Sequence, residues 1–566
     1  MSGNRKVSRR KFLNKSLKYW GCIYSGSVFN YIKVENRDEF DLIIKNCSIV
    51  DGTGADEYKA DIGIKSDKII TIGNLSSRTS KKYIDVKGYI VSPGFIDIHS
   101  HTDIDLFVNP RAESKIHQGV TTEIGGQCGS SAGPWRGESL EKIKKYLFER
   151  YELNVDWMDI GGFFDRLERN KSAVNLASMV GHGTIRESVM GMNNRKPLKS
   201  EIDEMKKLLM KSIEEGAYGL STGLEYTPGS FATTEEIIEL AKLLSKYNLT
   251  YASHIRNEDD RVLEAVKEAI DIGKKAGVSV QISHLKTIGE RNYSKIDEVF
   301  YQMEKARNEK LNINFDRYPY IAYSTGMDIL FPLWAREGGN EKFIERLKDN
   351  QLKSKMKKKV IDKIELLGNW NKIMICNTFN KKYNYLNGKR IGDLAKENNE
   401  EPYELIVKLL IENGNRVGIV GFGMSEENTQ RILVHPLGMI ASDGSNAAPY
   451  GKLSKGKPHP RYYGTFPRAI GYYCREKKIF DLPAVIKKIT SMPAEKVGIK
   501  DRGKIKEGYF ADLTIFDYNK IIDRATFINP HRYPEGIKYV IVNGKIVIKN
   551  GEHTGNLPGR VLRFKK

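Results

Sequence analysis

Two histidines two residues apart, His99 and His101, close an apolar run that starts at Tyr89-Ile90-Val91 and continues through Pro93-Gly94-Phe95-Ile96-Asp97-Ile98. In an extended strand, residues two apart point to the same face, so both imidazoles project from the C-terminal end of one strand. Imidazole is a common ligand for zinc and similar divalent ions. Taken alone, a His-x-His pair is as readily a core or surface pair as a ligand pair. Four later positions shift that balance, because each also follows an apolar run. Cys128 stands in Gly125-Gly126-Gln127-Cys128-Gly129, where the flanking glycines leave the thiol sterically open. His254 ends Tyr251-Ala252-Ser253-His254, His284 ends Gln281-Ile282-Ser283-His284, and Asp443 follows Met439-Ile440-Ala441-Ser442. A zinc site takes about four ligands from His, Cys and carboxylates, and a catalytic one keeps a position open for water. Each residue alone would pass as a satisfied core or loop residue; the set together predicts a metal site. The other histidines fit less well. His182 follows the third strand and is placed in the pocket or behind the ligands, His117 precedes the second strand, and His435, His459, His531 and His553 read as loop or tail residues.

These side chains need strands to carry them. Apolar runs at Tyr89–His99, Thr121–Gly126, Val174–Val180, Ala217–Ser221, Thr250–His254, Ser279–His284, Asn312–Tyr318 and Met439–Ser442 alternate with helical patterns such as Glu201–Glu215, Thr234–Tyr247 and Asp260–Ala276. That alternation predicts an α/β fold, a (β/α)8 TIM-like barrel over residues 92–499, with its active site at the C-terminal ends of the strands. Residues 41–91 and 500–566 carry short strands and turns, including Asn543-Gly544 between Val540-Ile541-Val542 and Lys545-Ile546-Val547, and are expected to form one small β-sandwich from both chain ends. Far more chain lies between Tyr318 and Met439 than one helix needs. Residues 325–435 are therefore expected to be an insertion after the seventh barrel strand that covers the active site. It holds a lysine-rich helical stretch and a strand near Lys372–Cys376; Gly421-Phe422-Gly423 lacks the third glycine of a dinucleotide fingerprint and reads as loop.

The 566 residues suffice for a large core and more than one domain. The formal charge is +21, but the excess is lysine spread over polar helical stretches, with no zinc-finger or RRM signature and no basic stripe interleaved with aromatics. A solvated lysine-rich surface is the reading, not nucleic-acid binding. No apolar run reaches the length of a membrane span, and the five cysteines, odd in number and irregular in spacing, imply no disulfide framework. Ser8-Arg9-Arg10-Lys11-Phe12-Leu13 resembles a twin-arginine export signal, followed by a weakly apolar stretch, Tyr19–Phe29. Residues 1–30 are thus a signal, which would place the protein outside the cytoplasm, or a basic tail on a cytoplasmic protein. Cys22 matches a lipid-attachment site poorly.

From Asp41 to the C-terminus the chain resembles the amidohydrolase superfamily and, within it, the N-acyl-D-amino-acid deacylase (D-aminoacylase) family. The motifs are Pro93 through His101, Val120-Thr121-Thr122 through Cys128-Gly129, His254-Ile255-Arg256-Asn257-Glu258, Ile282-Ser283-His284-Leu285-Lys286, Asp316-Arg317-Tyr318-Pro319-Tyr320 through Ser324, Ser442-Asp443-Gly444, and His459-Pro460-Arg461 through Arg468. Many superfamily relatives bridge two metals with a carboxylated lysine; this family has a cysteine where Cys128 stands. The resemblance implies a tight zinc on Cys128, His254 and His284. It implies a second, weaker site at His99 and His101, with Cys128 as a bridge. It makes Asp443 the general base and then acid, and gives Lys286, Tyr318, Ser324 and Arg461 the substrate's carboxylate. The implied reaction is hydrolysis of N-acyl-D-amino acids, a small-molecule activity, with a cyclic amide or a dipeptide as the alternative substrate. One departure is the segment Gly444–Pro460, longer than the family leads one to expect.

Overall fold

Eight short parallel strands carry the residues singled out above: Phe95–Asp97, Val120–Gly125, Asn175–Ser178 continued by Val180–Gly181, Gly219–Gly223, Thr250–His254, Ser279–Ile282, Ile313–Arg317 and Gly438–Ile440, here numbered first to eighth. They are short and buried on both faces, as strands covered by helices are. Registered parallel pairs run from the first strand to the third and from Val180–Gly181 to the eighth. Met179, between the two parts of the third strand, bonds to Gly125 O, and Tyr218 N bonds to Ser178 O. Past the strand ends, Asp443 N donates to His99 O and His101 N to Gly444 O, so hydrogen bonds also lead from the eighth strand back to the first. The helices between strands follow the apolar period: Lys199–Glu214, Thr234–Ser245 and Val262–Ala276 lie where the sequence placed them. Thr233 caps the second through Glu236 N, and Gly277 ends the third with φ 67°.

The computed structural model describes residues 39–565. The twin-arginine run and Cys22 therefore lie outside the described residues. Among the described residues, no helix is long and apolar enough to cross a membrane.

The run Tyr89–His99, expected as one strand, is two. Ile90–Pro93 pairs antiparallel with Leu513–Phe516 and parallel with Leu42–Ile49, in a nine-stranded sheet made from both ends of the chain. Phe95–Asp97 leaves that sheet for the parallel set. Gly94 is the joint: a Cβ there would sit 2.2 Å from Thr121 Oγ1, so only glycine lets the chain change sheets against the second strand. Ile69 N, on the strand Lys68–Gly73 of the nine-stranded sheet, bonds to Tyr509 O in the segment leading into Leu513–Phe516. The sheet's Asn543-Gly544 turn has positive φ at both residues, as a tight two-residue hairpin requires.

The long interval after the seventh strand folds around a three-stranded sheet, Tyr323–Gly326, Ile373–Thr378 and Val417–Gly421, with the last strand in the centre. Gly421 thus ends a strand instead of lying in a loop. Helices Gly339–Lys348, Asn350–Leu367 and Pro402–Glu412 cover this sheet with a core of its own. The helix Glu426–Val434, counted within the interval from the sequence, instead packs Ile432 and Leu433 into the main core. Lys363, on the insertion helix Asn350–Leu367, is ion-paired to the buried Asp259 beyond the fifth strand.

Candidate metal centre and substrate cavity

The C-terminal strand ends bring His99, His101, Cys128, His254, His284 and Asp443 to one place. Donor atoms of His99, His101, Cys128 and Asp443 lie within 4.8 Å of one another, and so do those of Cys128, His254 and His284. Cys128 belongs to both groups: its Sγ lies 3.3 Å from His99 Nε2, 3.5 Å from His284 Nε2 and 3.8 Å from His254 Nδ1. His254 Nδ1 and His284 Nε2 are 2.8 Å apart, and Asp443 Oδ1 is 3.1 Å from His101 Nε2 and 3.4 Å from His99 Nε2. Three of these residues take left-handed backbone conformations, Cys128 at φ 50°, His284 at φ 37° and Asp443 at φ 47°. Such conformations cost about 1–3 kcal/mol each and persist where surrounding structure imposes them, often at functional sites. Two residues before Cys128 the chain is pressed against the third strand, since a Cβ at Gly126 would lie 1.9 Å from Met179 O.

Behind the ligands stand carboxylates that the sequence reading had not singled out. Asp316 Oδ1 is 3.1 Å from His99 Nδ1 and accepts His284 N–H at 2.8 Å. Glu258 Oε1 is 3.0 Å from His284 Nδ1, and Glu225 Oε2 is 3.3 Å from His254 Nε2. Metal-binding imidazoles are held in this way by a carboxylate on the far nitrogen, which makes the donor set fit a metal. Burial alone would raise the Cys128 thiol; the His99 and His284 imidazoles outweigh it and hold the thiol well below its usual range, the thiolate form a metal takes. Burial also works against the Asp443 carboxylate, and Arg461, His284 and His99 overcome it, keeping the group ionised.

Despite the long Gly444–Pro460 segment, Arg461 reaches the site. Its Nη1 lies 2.9 Å from Asp443 Oδ2, an ion-pair contact without hydrogen-bond alignment, so among the described residues Arg461 Nε and Nη1 have no acceptor. Its guanidinium sits 4.6 Å from the centre of the Tyr318 ring, and Tyr318's buried hydroxyl is also without a partner. Lys286 Nζ faces the same ring at 5.8 Å, but is turned to Glu258 and to His284 Nδ1, 2.8 Å away. Burial opposes the charge on Lys286 and the Glu258 carboxylate sustains it. Ser324, on the first strand of the insertion sheet, lines the cavity with Arg461; Lys286 and Tyr318 lie behind that wall. His459, read from sequence as a loop residue, is fully buried. It accepts Arg461 N–H at 3.0 Å through Nδ1 and meets Ala322 O at 2.9 Å through Nε2. His182 is buried against Glu236, 2.9 Å away, outside the ligand set.

The cavity in front of these groups measures about 340 Å³ and is bounded by His101, Cys128, His284 and Asp443 on its floor. The amidohydrolase family model matches residues 82–312 and 427–548; the stretch between them holds the seventh strand and the insertion with its own sheet. The chain belongs to the amidohydrolase family. This amidohydrolase is 34% identical over 530 residues to a D-aminoacylase of Alcaligenes xylosoxydans xylosoxydans, an alignment covering 92% of this chain and 97% of that one. It is similar to the crystal structure of an N-acyl-D-glutamate deacylase of Bordetella bronchiseptica complexed with zinc and a phosphonate mimic of the tetrahedral intermediate. There the TM-score is 0.79 at 29% identity, covering 93% of this chain and all of the other. It is also similar, with a TM-score of 0.77 at 33% identity and coverage of 93% and 100%, to a D-aminoacylase structure described by its binuclear metal centre, with one-metal activation and second-metal attenuation.

Proposed function

We propose that this amidohydrolase is a zinc-dependent hydrolase that cleaves the amide bond of N-acyl-D-amino acids to a carboxylate and a free D-amino acid. The observation that carries the reading is the pairing of a Cys128-centred ligand set with unsatisfied donors of Arg461 and Tyr318 beside it. Cys128, His254 and His284 would hold the tight zinc, and His99 and His101 a second, weaker one with Cys128 shared. Zinc supplies Lewis acidity there, acidifying water and polarising the amide carbonyl. Asp443, between His99, His101 and Arg461, takes the proton from the attacking water and delivers it to the amide nitrogen, which cannot leave as an anion. Arg461 and Ser324, on the cavity wall, bind the α-carboxylate by charge-assisted hydrogen bonds, with Tyr318 behind them under the Arg461 guanidinium. Lys286 adds positive charge behind them once a substrate anion competes with Glu258. The fold reading that accompanies this is a (β/α)8 barrel with a small β-sandwich from both chain ends and the insertion over the active site; an experimental structure with the eighth and first strands apart would overturn it.

A cyclic amide offers no carboxylate for the unpaired donors, which favours the linear substrate; the D configuration rests on the relatives. The test is a panel of N-acetyl-D-amino acids, their L forms, dihydropyrimidines and dipeptides assayed on zinc-loaded protein. Turnover of the N-acetyl-D compounds above their L forms, the dihydropyrimidines and L,L-dipeptides is expected. Turnover confined to the cyclic amides would overturn the reading.

A further inference from the structure

The cavity has two unlike walls. On one side stand Ser324, Thr325, Asp443, Ser445, Arg461 and Tyr462, from the ends of the seventh and eighth strands and the segments beyond them. On the other stand residues 128–130, Gly183, Thr184 and Glu187, and Gly223 with residues 226–229, from the second, third and fourth strand ends. The second wall is one packed unit: Thr184 N bonds to Gly129 O at 3.1 Å, and Ser131 N to Thr184 Oγ1 at 3.0 Å. Thr184 and Glu187, three apart on the helix His182–Met190, share a helix face and both line the cavity.

Resting on the proposed carboxylate role of Arg461, the walls can be assigned to the two arms of the substrate. In an N-acyl amino acid the α-carboxylate and side chain are attached on the nitrogen side of the scissile bond, and the acyl group on the carbonyl side. With the carboxylate at Arg461 and the amide over Cys128 and Asp443, the acyl group extends along the second wall. That wall is polar, and Glu187 is its one charged residue. Among the described residues, the Glu187 side chain has no hydrogen-bond donor and no cation within ion-pair distance. The nearby Lys142 is itself paired with Glu138 at 2.8 Å. The cavity lining includes no lysine, and no arginine other than Arg461.

We propose that Glu187 is a specificity residue of the acyl subsite, favouring acyl groups that bear an ammonium, as in an N-aminoacyl-D-amino acid, over acyl groups that bear a carboxylate. An α-ammonium of such a substrate, with a pKa of about 8, is charged at neutral pH, and pairs with Glu187 in a site that excludes much of the water. A succinyl group would place like charges together.

The experiment compares kcat/KM for glycyl-, acetyl- and succinyl-D-methionine on zinc-loaded wild type, Glu187→Gln and Glu187→Lys. The wild type is expected to prefer glycyl over succinyl by at least about tenfold, the size of one desolvated ion-pair difference. Glu187→Gln lowers the glycyl-to-acetyl ratio, and Glu187→Lys reverses the glycyl-to-succinyl order. A wild type that prefers succinyl, or ratios unchanged in both variants while acetyl-D-methionine is still hydrolysed, overturns the role of Glu187 and leaves the deacylase reading intact. Failure of the wild type on all three compounds overturns the deacylase reading and this inference with it. A variant that fails to fold leaves the wild-type preference and the other variant to decide.

Discussion

Asp443 stands at φ 47° with its carboxylate between two imidazoles and the Arg461 guanidinium. Asparagine enters the left-handed region as readily as aspartate does, so Asp443→Asn leaves the backbone in place and removes only the proton carrier. Turnover is expected to fall by about two to four orders of magnitude, with zinc content unchanged. Steady-state rates and metal analysis on the same sample check this; near-normal turnover in folded, zinc-loaded protein would force a search for another base. His459 works beside it. Burial first, and then Arg461, push its imidazole well below its usual pKa, so it stays neutral while receiving the backbone N–H of Arg461.

At the scale of elements, one buried lysine ties three strands. Lys115, fully buried, reaches Asp97 Oδ2 at 2.8 Å on the first strand and Glu123 Oε1 at 3.2 Å on the second. It also reaches Ser442 Oγ at 2.7 Å and Gly444 O at 2.8 Å, on either side of Asp443. The cation therefore sets where the first strand, with His99, meets the turn that carries Asp443. Lys115→Met strands two carboxylates without a cation, and removing one partner of a buried pair costs about 3–5 kcal/mol. Urea midpoints should show that loss, and adding Asp97→Asn and Glu123→Gln should restore part of it. A single variant as stable as wild type would show that water, not Lys115, satisfies these groups.

Across the whole molecule, Glu113 joins segments far apart in sequence. It accepts from Arg111 and from Tyr450 Oη at 2.7 Å in the long Gly444–Pro460 segment. Tyr533 Oη, from the C-terminal region, also donates at 2.7 Å, and His117 Nε2 lies 3.1 Å away. Burial works against its charge, but these donors hold the carboxyl well below its usual value. With the folded value below the unfolded one, the unfolded chain binds the extra proton as the pH falls. The stabilisation is thus complete above the unfolded value and is lost as pH drops below about 4. Glu113→Gln should cost about 1–3 kcal/mol at pH 7, and its deficit against wild type should shrink at pH 3.5. Denaturant titrations at both values check the sign; a deficit that grows in acid would overturn it.

The sequence by itself placed the apolar runs that become the parallel strands and the candidate metal-binding residue types at their ends. A short apolar run followed by His, Cys or Asp is a local pattern, and local patterns survive in one dimension. Thr250–His254 fell where its run placed it. Tertiary structure alone decided the split at Gly94, because the contact of that backbone with Thr121 comes from a different strand. It alone identified Asp316, Glu258, Glu225 and Lys115, since a carboxylate or a lysine in a sequence does not announce which imidazole or backbone turn it will face. His459 looked like a loop residue because nothing within its neighbourhood marks it as buried; its value lies in Arg461 N and Ala322 O, the latter 137 residues away. The unpaired donors of Arg461 and Tyr318 and the unpartnered Glu187 likewise exist only in three dimensions. To be unsatisfied is a property of everything packed around a group, and that packing is set by contacts between distant parts of the chain.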